Sequence, residues 1–592
     1  MATKPVLPGY LLPACPDTLC GRKVGGFLTP EQDLMPQVVS IPPRRVLPII
    51  FLPGIMGSNL RLSAERQEQM RKRNNIAWRP DNKTESIALS NSTPAVRQNQ
   101  LDPSETEVDE YDPVGNPAGD ANETADQRHA NAEVNFMYPL NVGIDTPLLM
   151  DDPVTAKPRK TKEQKARERG WGEVFFGSYR QLLEMCEQKL NTAFRYGQMD
   201  AWWKQIVDVA PSVWQAHPQP PLLPLEEATL KDVVRDCWFP VHAMGYNWLQ
   251  SNRDSGIRVA ERIAALMERY KSQGYICEKV IVVTHSMGGL VARALIHPDM
   301  GGMKDKVLGI VHGVMPAMGA GAAYKRMRCG FEDPGVVSTS PIASITSKIL
   351  GNYGREVTAV LGNAQGGLEL LPSQAYGNGW LQVLHKGQTL KSLPINGDPY
   401  EEIYKLRGKW YGLLREDWIN PAGHRLSGYK ATANLLDKAK KFHSAIVNTY
   451  HHESYAHYGA DLKHPAWHHV IWEIDSKSSM PNMEVLKIMG DSAQGKLDMN
   501  AKDAITRTEN GGSAIAGVIA TMCSARDPGD QTVPLHSADH QLQSGKFKGI
   551  FRQSGYEHQE SYMNEHALTS TLYSLVRIAQ TMSWSKHGKY KF

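Results

Sequence analysis

A serine stands at the centre of the stretch best suited to chemistry, Thr284-His285-Ser286-Met287-Gly288-Gly289. The apolar run over 280–283 predicts a buried strand before it, and the residues after it predict a helix. A nucleophilic serine must project from a sharp strand-to-helix turn with small flanking residues, because the two backbones nearly touch there. Gly288 supplies the second small position, whereas Thr284 stands at the first, where glycine is usual. The pattern predicts a nucleophile elbow with Ser286 at its apex.

A serine hydrolase also needs a histidine base and a carboxylate that orients it, and here we expect them after the serine, acid first. Two carboxylates follow a predicted strand: Asp530, beside a glycine, and Asp527, which precedes a proline. Two histidines come later: His558, in a loop after the last predicted strand, and His566, where the final helix should begin. We favour Asp530 and His558, and keep Asp527 and His566 as the alternatives.

Backbone N–H groups must stabilise the negative charge that develops on the attacked carbonyl oxygen. Met287, the residue after the nucleophile, supplies one such donor. The glycine-containing turn over 53–58 follows an early predicted strand and suits the second donor. Ile55 and Met56 are both candidates, and the pattern does not separate them.

Composition excludes several classes of protein. The 592 residues carry a net charge of +4, with 66 basic and 62 acidic side chains, so a nucleic-acid partner is not expected. No apolar run approaches the length of a transmembrane helix, and the N-terminal residues lack the apolar core of a secretory signal. Seven cysteines do not suggest a disulfide framework. We therefore expect synthesis in a cytoplasm, without a cofactor or a metal.

Alternating strand and helix patterns predict an α/β fold, a mostly parallel doubly wound sheet interrupted by large insertions. The core should begin at 45–60, with the first strand and the oxyanion turn, and continue over 171–316, with the elbow. The C-terminal part, 514–592, should complete the core with the acid and the histidine. The remaining segments are predicted to be an N-terminal arm over 1–44, a partly mobile insertion over 61–170, and a cap or lid over 317–513.

Histidines crowd one part of the predicted cap: His451, His452, His457, His464, His468 and His469. Only His464 and His468 have the spacing of four residues that would place two ligands on one helical face. Aromatic residues are interleaved with them, which favours a packed cap over a metal site. The role of this segment stays open.

Five short motifs together resemble the lecithin:cholesterol acyltransferase and GPI-inositol-deacylase group of α/β-hydrolases. They occupy residues 53–60, 245–248, 285–289, 370–373 and 529–535. The resemblance covers the core and implies an α/β-hydrolase core with cap insertions, and a triad of Ser286, Asp530 and His558. Two positions depart from the family pattern: Asn247 stands where aspartate is common, and Gln531 where glycine is common.

The large insertions, the missing signal sequence and the segment 558–562 are also similar to the antibacterial lipase effectors of type VI secretion systems. This narrower resemblance implies a phospholipase made in a bacterial cytoplasm and delivered to the periplasm of a target cell. A phospholipid at a membrane surface is the implied substrate. An immunity protein and a secretion-spike protein are the implied partners.

Two other interpretations remain. The same elbow serves acyltransferases and thioesterases, so a housekeeping enzyme that transfers or releases acyl groups is the first alternative. A non-catalytic binding protein built on a hydrolase scaffold is the second.

Overall fold

The computed structural model describes residues 43–121, 127, 140–195, 197–218, 221–332, 348–349, 351–476, 482–492, 495–507 and 513–585. It also places four short strands before residue 43: Tyr10–Leu12, Ala14–Pro16, Arg22–Val24 and Gln37–Val39. Most of the predicted N-terminal arm therefore lies outside the described residues.

Seven strands form the core sheet. They are β1 (Ile49–Leu52), β2 (Ala216–His217), β3 (Val241–Ala243), β4 (Val280–His285), β5 (Val307–Gly313), β6 (Ser454–Gly459) and β7 (Phe547–Gln553). Their spatial order is β2-β7-β6-β5-β4-β1-β3. All neighbouring pairs are parallel except β2 and β7, which are antiparallel at one edge. The α/β fold class is confirmed.

Both faces of this sheet are covered, which explains the continuous apolar strands. Ile50 and Val282 belong to one hydrophobic core, and Ile281 and Phe51 to another on the opposite face. Successive side chains of a strand point to opposite faces, so a strand covered on both sides is apolar throughout. All six residues of β4 are buried accordingly.

Four long helices cover the sheet, two on each face. Residues of α2 (Asn252–Ser272) and α3 (Gly288–Ile296) join the first core, and those of α1 (Phe176–Asn191) and α7 (Glu565–Gln580) join the second. The elbow joins β4 to α3 inside this packed core. Within the described residues, no helix has both the length and the apolar character needed to cross a membrane.

A second, six-stranded sheet forms much of the cap. Its strands, in spatial order, are Gln388–Leu393, Leu381–His385, Val470–Ser476, Ser513–Met522, Lys496–Arg507 and Lys487–Ser492. The longer cap helices are α4 (Gly321–Cys329), α5 (Gly354–Leu361) and α6 (Tyr429–Ile446). The shorter helical segments are Ala64–Gln69, Lys83–Ser90, Pro94–Gln100, Lys162–Glu168, Trp171–Glu173, Trp203–Gln205, Pro211–Trp214, Glu227–Val234, Gln365–Leu368, Gln374–Tyr376, Tyr400–Tyr404, Glu416–Ile419, Met483–Val485, Leu535–Ala538, His540–Gln543 and Ser561–Met563.

The remaining short strands form small sheets of two or three strands. They are Arg45–Val46 with Cys237–Trp238, Phe194–Arg195 with Gln198–Met199, Asp461–Ala466 with Asp527–Gly529, and a three-stranded sheet of Ile76–Trp78, Leu60–Leu62 and Thr106–Val108. The pair formed by Asp461–Ala466 and Asp527–Gly529 lies directly before the predicted catalytic acid.

Two boundaries differ from the sequence prediction. Strand β6 belongs to the core sheet although it falls within 317–513, which was predicted to be cap throughout. Strand Ser513–Met522 belongs to the cap sheet although 514–592 was predicted to be core. The sequence of β6, Ser-Tyr-Ala-His-Tyr-Gly, lacks the aliphatic run that marks a buried parallel strand, because Ser454 and His457 are polar residues in a buried strand.

The first insertion, predicted to be partly mobile, has a packed interior around Asp109. The Asp109 carboxylate is fully buried against the Arg79 guanidinium, as a charge removed from water requires. The Asp109 backbone N–H also donates to the carbonyl oxygen of Asn59 at 3.1 Å, which joins this stretch to the core. Residues 122–139, apart from residue 127, lie outside the described residues.

Candidate active site

Ser286 occupies the apex of the predicted elbow. It follows β4 directly and has a φ of +52°, and one residue, Met287, separates it from helix α3. A positive φ is strained for serine and is typical of residues that a turn presents for chemistry. The Ser286 backbone N–H donates to the carbonyl oxygen of Gly313 on the neighbouring strand at 2.8 Å, which holds the turn in place.

The small position after the serine is required by close packing. A Cβ atom on Gly288 would lie 2.5 Å from the carbonyl oxygen of Leu52 on β1, so no larger residue fits without a backbone shift. Thr284, at the other small position, is fully buried and its hydroxyl lies 3.4 Å from Nδ1 of His312. The departure from glycine is therefore accommodated inside the sheet.

Ser286, His558 and Asp530 meet at this turn. The Nε2 atom of His558 lies 2.8 Å from Oγ of Ser286, and its Nδ1 atom lies 2.9 Å from Oδ2 of Asp530. The Asp530 carboxylate is almost completely buried. This is the geometry in which a histidine removes the serine proton while a carboxylate holds the ring in the required tautomer.

The loop that carries Asp530 holds this carboxylate from behind. Its Oδ1 atom accepts hydrogen bonds from the backbone N–H groups of Val533, at 2.7 Å, and Thr532, at 3.1 Å. The next residue, Gln531, has a φ of +69°, a conformation that glycine adopts more readily. The backbone N–H of His558 donates to the Asp530 carbonyl oxygen at 2.9 Å, so the two loops are joined twice.

The alternative acid and base lie elsewhere. The Asp527 carboxylate accepts from the backbone N–H of His469 at 3.0 Å and lies 3.3 Å from its Nδ1 atom. His566 is exposed in the first turn of α7, where its carbonyl oxygen accepts from the side chain of Gln553. Neither residue contacts Ser286 or His558.

The expected oxyanion donors lie beside Ser286. Ile55 and Met56 line the same cavity as Ser286, and Met56 has a φ of +61°. Among the described residues, the N–H groups of Ile55, Met56 and Met287 donate to no protein acceptor. Unpaired N–H groups of this kind suit the binding of a developing oxyanion. The choice between Ile55 and Met56 stays open.

A second histidine, His285, to which no role was predicted, links the loop of His558 to the turn that contains Gly54. Nε2 of His285 lies 2.9 Å from the carbonyl oxygen of His558 and therefore donates to it. Nδ1 then accepts from the Tyr179 hydroxyl at 3.1 Å, and that hydroxyl accepts from the Gly54 N–H at 3.2 Å. Burial, with smaller contributions from His558 and His457, lowers the pKa of His285 to about 3, so this histidine is neutral.

Tyr562 contacts the end of β4, directly before the elbow. Its hydroxyl donates to the Thr284 carbonyl oxygen at 2.8 Å, and its ring packs against Phe51 of β1. Tyr562 is the last residue of the motif over 558–562. The motif therefore delivers both the candidate base and a tyrosine that holds the end of β4.

A cavity of about 1170 Å³ opens onto Ser286 and His558 between the core and the cap. Its walls are largely apolar, and its lining includes Phe175, Met327, Phe331, Leu361, Leu370, Trp467, Met522 and Met563. Met563 is also 42% exposed. This volume exceeds the range of about 300–1,000 Å³ that is usual for small-molecule sites, which suits a long apolar substrate.

Known proteins resemble this chain at two levels. Residues 254–326, which include the elbow, match a family described as "PGAP1-like alpha/beta domain". A solved structure titled "The crystal structure of Tle4-Tli4 complex" is 31% identical in sequence, with a TM-score of 0.68. The match covers 91% of this chain and 99% of that chain. None of the curated proteins compared matches the chain.

Proposed function

We propose that this chain, which belongs to the family of type VI secretion lipase effectors built on the α/β-hydrolase fold, cleaves carboxylic esters of phospholipids with Ser286, His558 and Asp530. The observation that carries the proposal is the pair of contacts of His558, 2.8 Å to Ser286 and 2.9 Å to Asp530. The large apolar cavity at Ser286 supports a lipid substrate.

The reaction has two halves. The Ser286 oxygen attacks the ester carbonyl carbon while His558 Nε2 takes the hydroxyl proton, and the oxyanion binds the N–H of Met287 and that of Ile55 or Met56. His558 then gives the proton to the leaving alcohol, which leaves an acyl group on Ser286. A water molecule attacks this acyl-enzyme, with His558 again as base, and releases a fatty acid. No cofactor takes part in these steps.

Antibacterial action follows from the family. The related structure contains Tle4 in a complex with Tli4. By that relationship we propose an immunity protein as a partner of this chain, a secretion-spike protein as its carrier, and the membrane of a target bacterium as its place of action. The protein would then be made in the cytoplasm and act in the periplasm of the target cell.

Release of fatty acid from phospholipid vesicles tests the proposal. Wild-type protein should hydrolyse the lipid and react with a fluorophosphonate probe. Ser286→Ala should lose turnover by about a million-fold, as triad nucleophile variants do. Ser272→Ala, which changes an exposed serine at the end of α2, is the matched control and should keep full activity.

Three results would contradict the proposal in different ways. Hydrolysis by folded Ser286→Ala protein would exclude this nucleophile. A wild-type protein that neither hydrolyses lipid nor reacts with the probe would favour a binding protein. Esters formed with an added alcohol in preference to fatty acid would favour an acyltransferase.

A further inference from the structure

Outside the triad, three side chains of the kinds that bind metal ions lie close together. Donor atoms of His468, His469 and Asp527 all lie within 4.8 Å of one another, and each of the three residues is half-buried. We propose that these residues form a binding site for a divalent transition-metal ion, of which Zn²⁺ is the best match. Two imidazoles and one carboxylate, with water as the fourth ligand, are a typical donor set for zinc.

The arrangement needs little movement to close on an ion. Zinc bonds to nitrogen and oxygen are about 2.0–2.2 Å long, so tetrahedral ligand atoms lie about 3.3–3.5 Å apart. The Asp527 carboxylate already lies 3.3 Å from Nδ1 of His469 and accepts from the His469 backbone N–H. The remaining donor, on His468, lies within 4.8 Å of the other two, so it would have to approach them by at most about 1.5 Å.

Neighbouring rings hold His468 in one orientation. The His536 ring stacks on it at 3.9 Å with an interplanar angle of 10°, and the Tyr376 ring packs at its edge. Nε2 of His536 lies 2.8 Å from the carbonyl oxygen of Tyr376 and donates to it, so His536 is itself fixed. Outer contacts that orient a ligand ring are a regular part of metal sites.

The position indicates a structural role for the ion. His468 and His469 lie between the strands Asp461–Ala466 and Val470–Ser476, and Asp527 pairs with Ala466 in the short sheet beside them. None of the three candidate ligands is among the described residues that line the cavity at Ser286. A bound ion would cross-link the cap to the segment that begins three residues before Asp530. The aromatic residues interleaved with the histidines favoured a packed cap, and Asp527, the third candidate ligand, lies 58 residues after His469 in the sequence.

Metal binding can be measured directly on the untagged full-length chain. Protein stripped with a strong chelator should bind one equivalent of Zn²⁺ in isothermal titration calorimetry, and its Tm should rise on binding. His468→Gln, His469→Gln and Asp527→Asn should each weaken zinc binding by at least about 10-fold, since even an outer-contact loss costs that much. His452→Gln, an exposed histidine of the same segment, is the control and should bind like the wild type.

The same titration in the Ser286→Ala background separates this inference from the proposed function, on which it does not depend. Co²⁺ in place of Zn²⁺ should give the intense visible absorption of a tetrahedral site, and Asp527→Asn should abolish it. A folded, stripped wild-type chain that takes up no stoichiometric zinc would overturn the site. Zinc uptake that survives in all three ligand variants would also overturn it, by assigning binding to other surface histidines.

Discussion

The imidazole of His285 donates a hydrogen bond to the backbone carbonyl oxygen of His558, with 2.9 Å between the two atoms. The residue next to the candidate nucleophile thus holds the loop of the candidate base. Through the Tyr179 hydroxyl, the same imidazole also reaches the N–H of Gly54, in the turn that contains the candidate oxyanion donors. One neutral ring therefore sets the relative position of three parts of the site.

Tyr179→Phe tests this connection. The change leaves the N–H of Gly54 and Nδ1 of His285 buried without a partner. We expect this to lower the free energy of unfolding by about 1–3 kcal/mol. We expect kcat/KM on a soluble ester to fall by about 10- to 100-fold, because small displacements of catalytic groups have effects of this size.

Tyr573→Phe is the matched control for that variant. It also removes a buried hydroxyl that donates to a backbone carbonyl, that of Leu223, but it lies on α7 away from the site. Its stability should fall while its activity is kept. Equal activity of the two folded variants would exclude a positioning role for Tyr179.

The two aspartates can be ranked by the same substitution. Asp530→Asn should lower kcat by about 10⁴-fold, because the amide no longer stabilises the required tautomer or the charged imidazole. Asp527→Asn should lower kcat by less than about 10-fold when both variants are assayed in zinc-free buffer. The reason is that the Asp527 carboxylate bonds to His469 and not to His558. If Asp527→Asn proves the more damaging, our assignment of the acid is wrong.

Acid should destabilise the fold through buried histidines. Burial lowers the pKa of His457 to about 3 from its ordinary 6.5. Between these values the unfolded chain binds a proton that the folded chain does not, so stability is lost as pH falls below about 6.5. Each such histidine lowers the free energy of unfolding by up to about 1.4 kcal/mol for each pH unit in this range.

His457→Leu isolates one of these contributions. Both ring nitrogens of His457 are buried without a hydrogen-bond partner among the described residues, so the change sacrifices no hydrogen bond. Urea unfolding at pH 7.5 should show a variant at least as stable as the wild type. At pH 5 the variant should be clearly more stable, and an unchanged difference between the two pH values would refute the argument.

Toxicity should depend on compartment and on the nucleophile. A periplasmic signal peptide fused to the wild-type chain should kill the bacteria that express it, because the fusion meets membrane phospholipid there. The Ser286→Ala fusion should be harmless and the unfused wild type nearly so, as viable counts and immunoblots would record. Equal killing by both fusions would show that the toxic activity is not hydrolysis by Ser286.

The parts of the site predictable from sequence are those that a local pattern encodes. The elbow requires one serine and one close-packed glycine within three residues, and strand β4 is apolar because both its faces are buried. The chain order, with the acid before the histidine, then limits both residues to short loops after predicted strands, where Asp530 and His558 lie. Each of these features is visible within a few residues.

Other features depend on contacts between distant residues. Tyr179 is 106 residues from His285 along the chain, and no local pattern links them. Strand β6 was missed because its buried positions include a serine and a histidine, which tertiary packing accommodates. The group formed by Asp527 with His468 and His469 exists only because two short strands pair.

The spacing of the triad along the chain has a consequence for synthesis. His558 lies 272 residues after Ser286, and the strand that precedes it, β7, lies between β2 and β6 in the core sheet. In the proposed mechanism, a ribosome that has translated the elbow, the cap and even Asp530 still holds a polypeptide without its base. Growing chains, and fragments that end before residue 558, should therefore be unable to hydrolyse lipid.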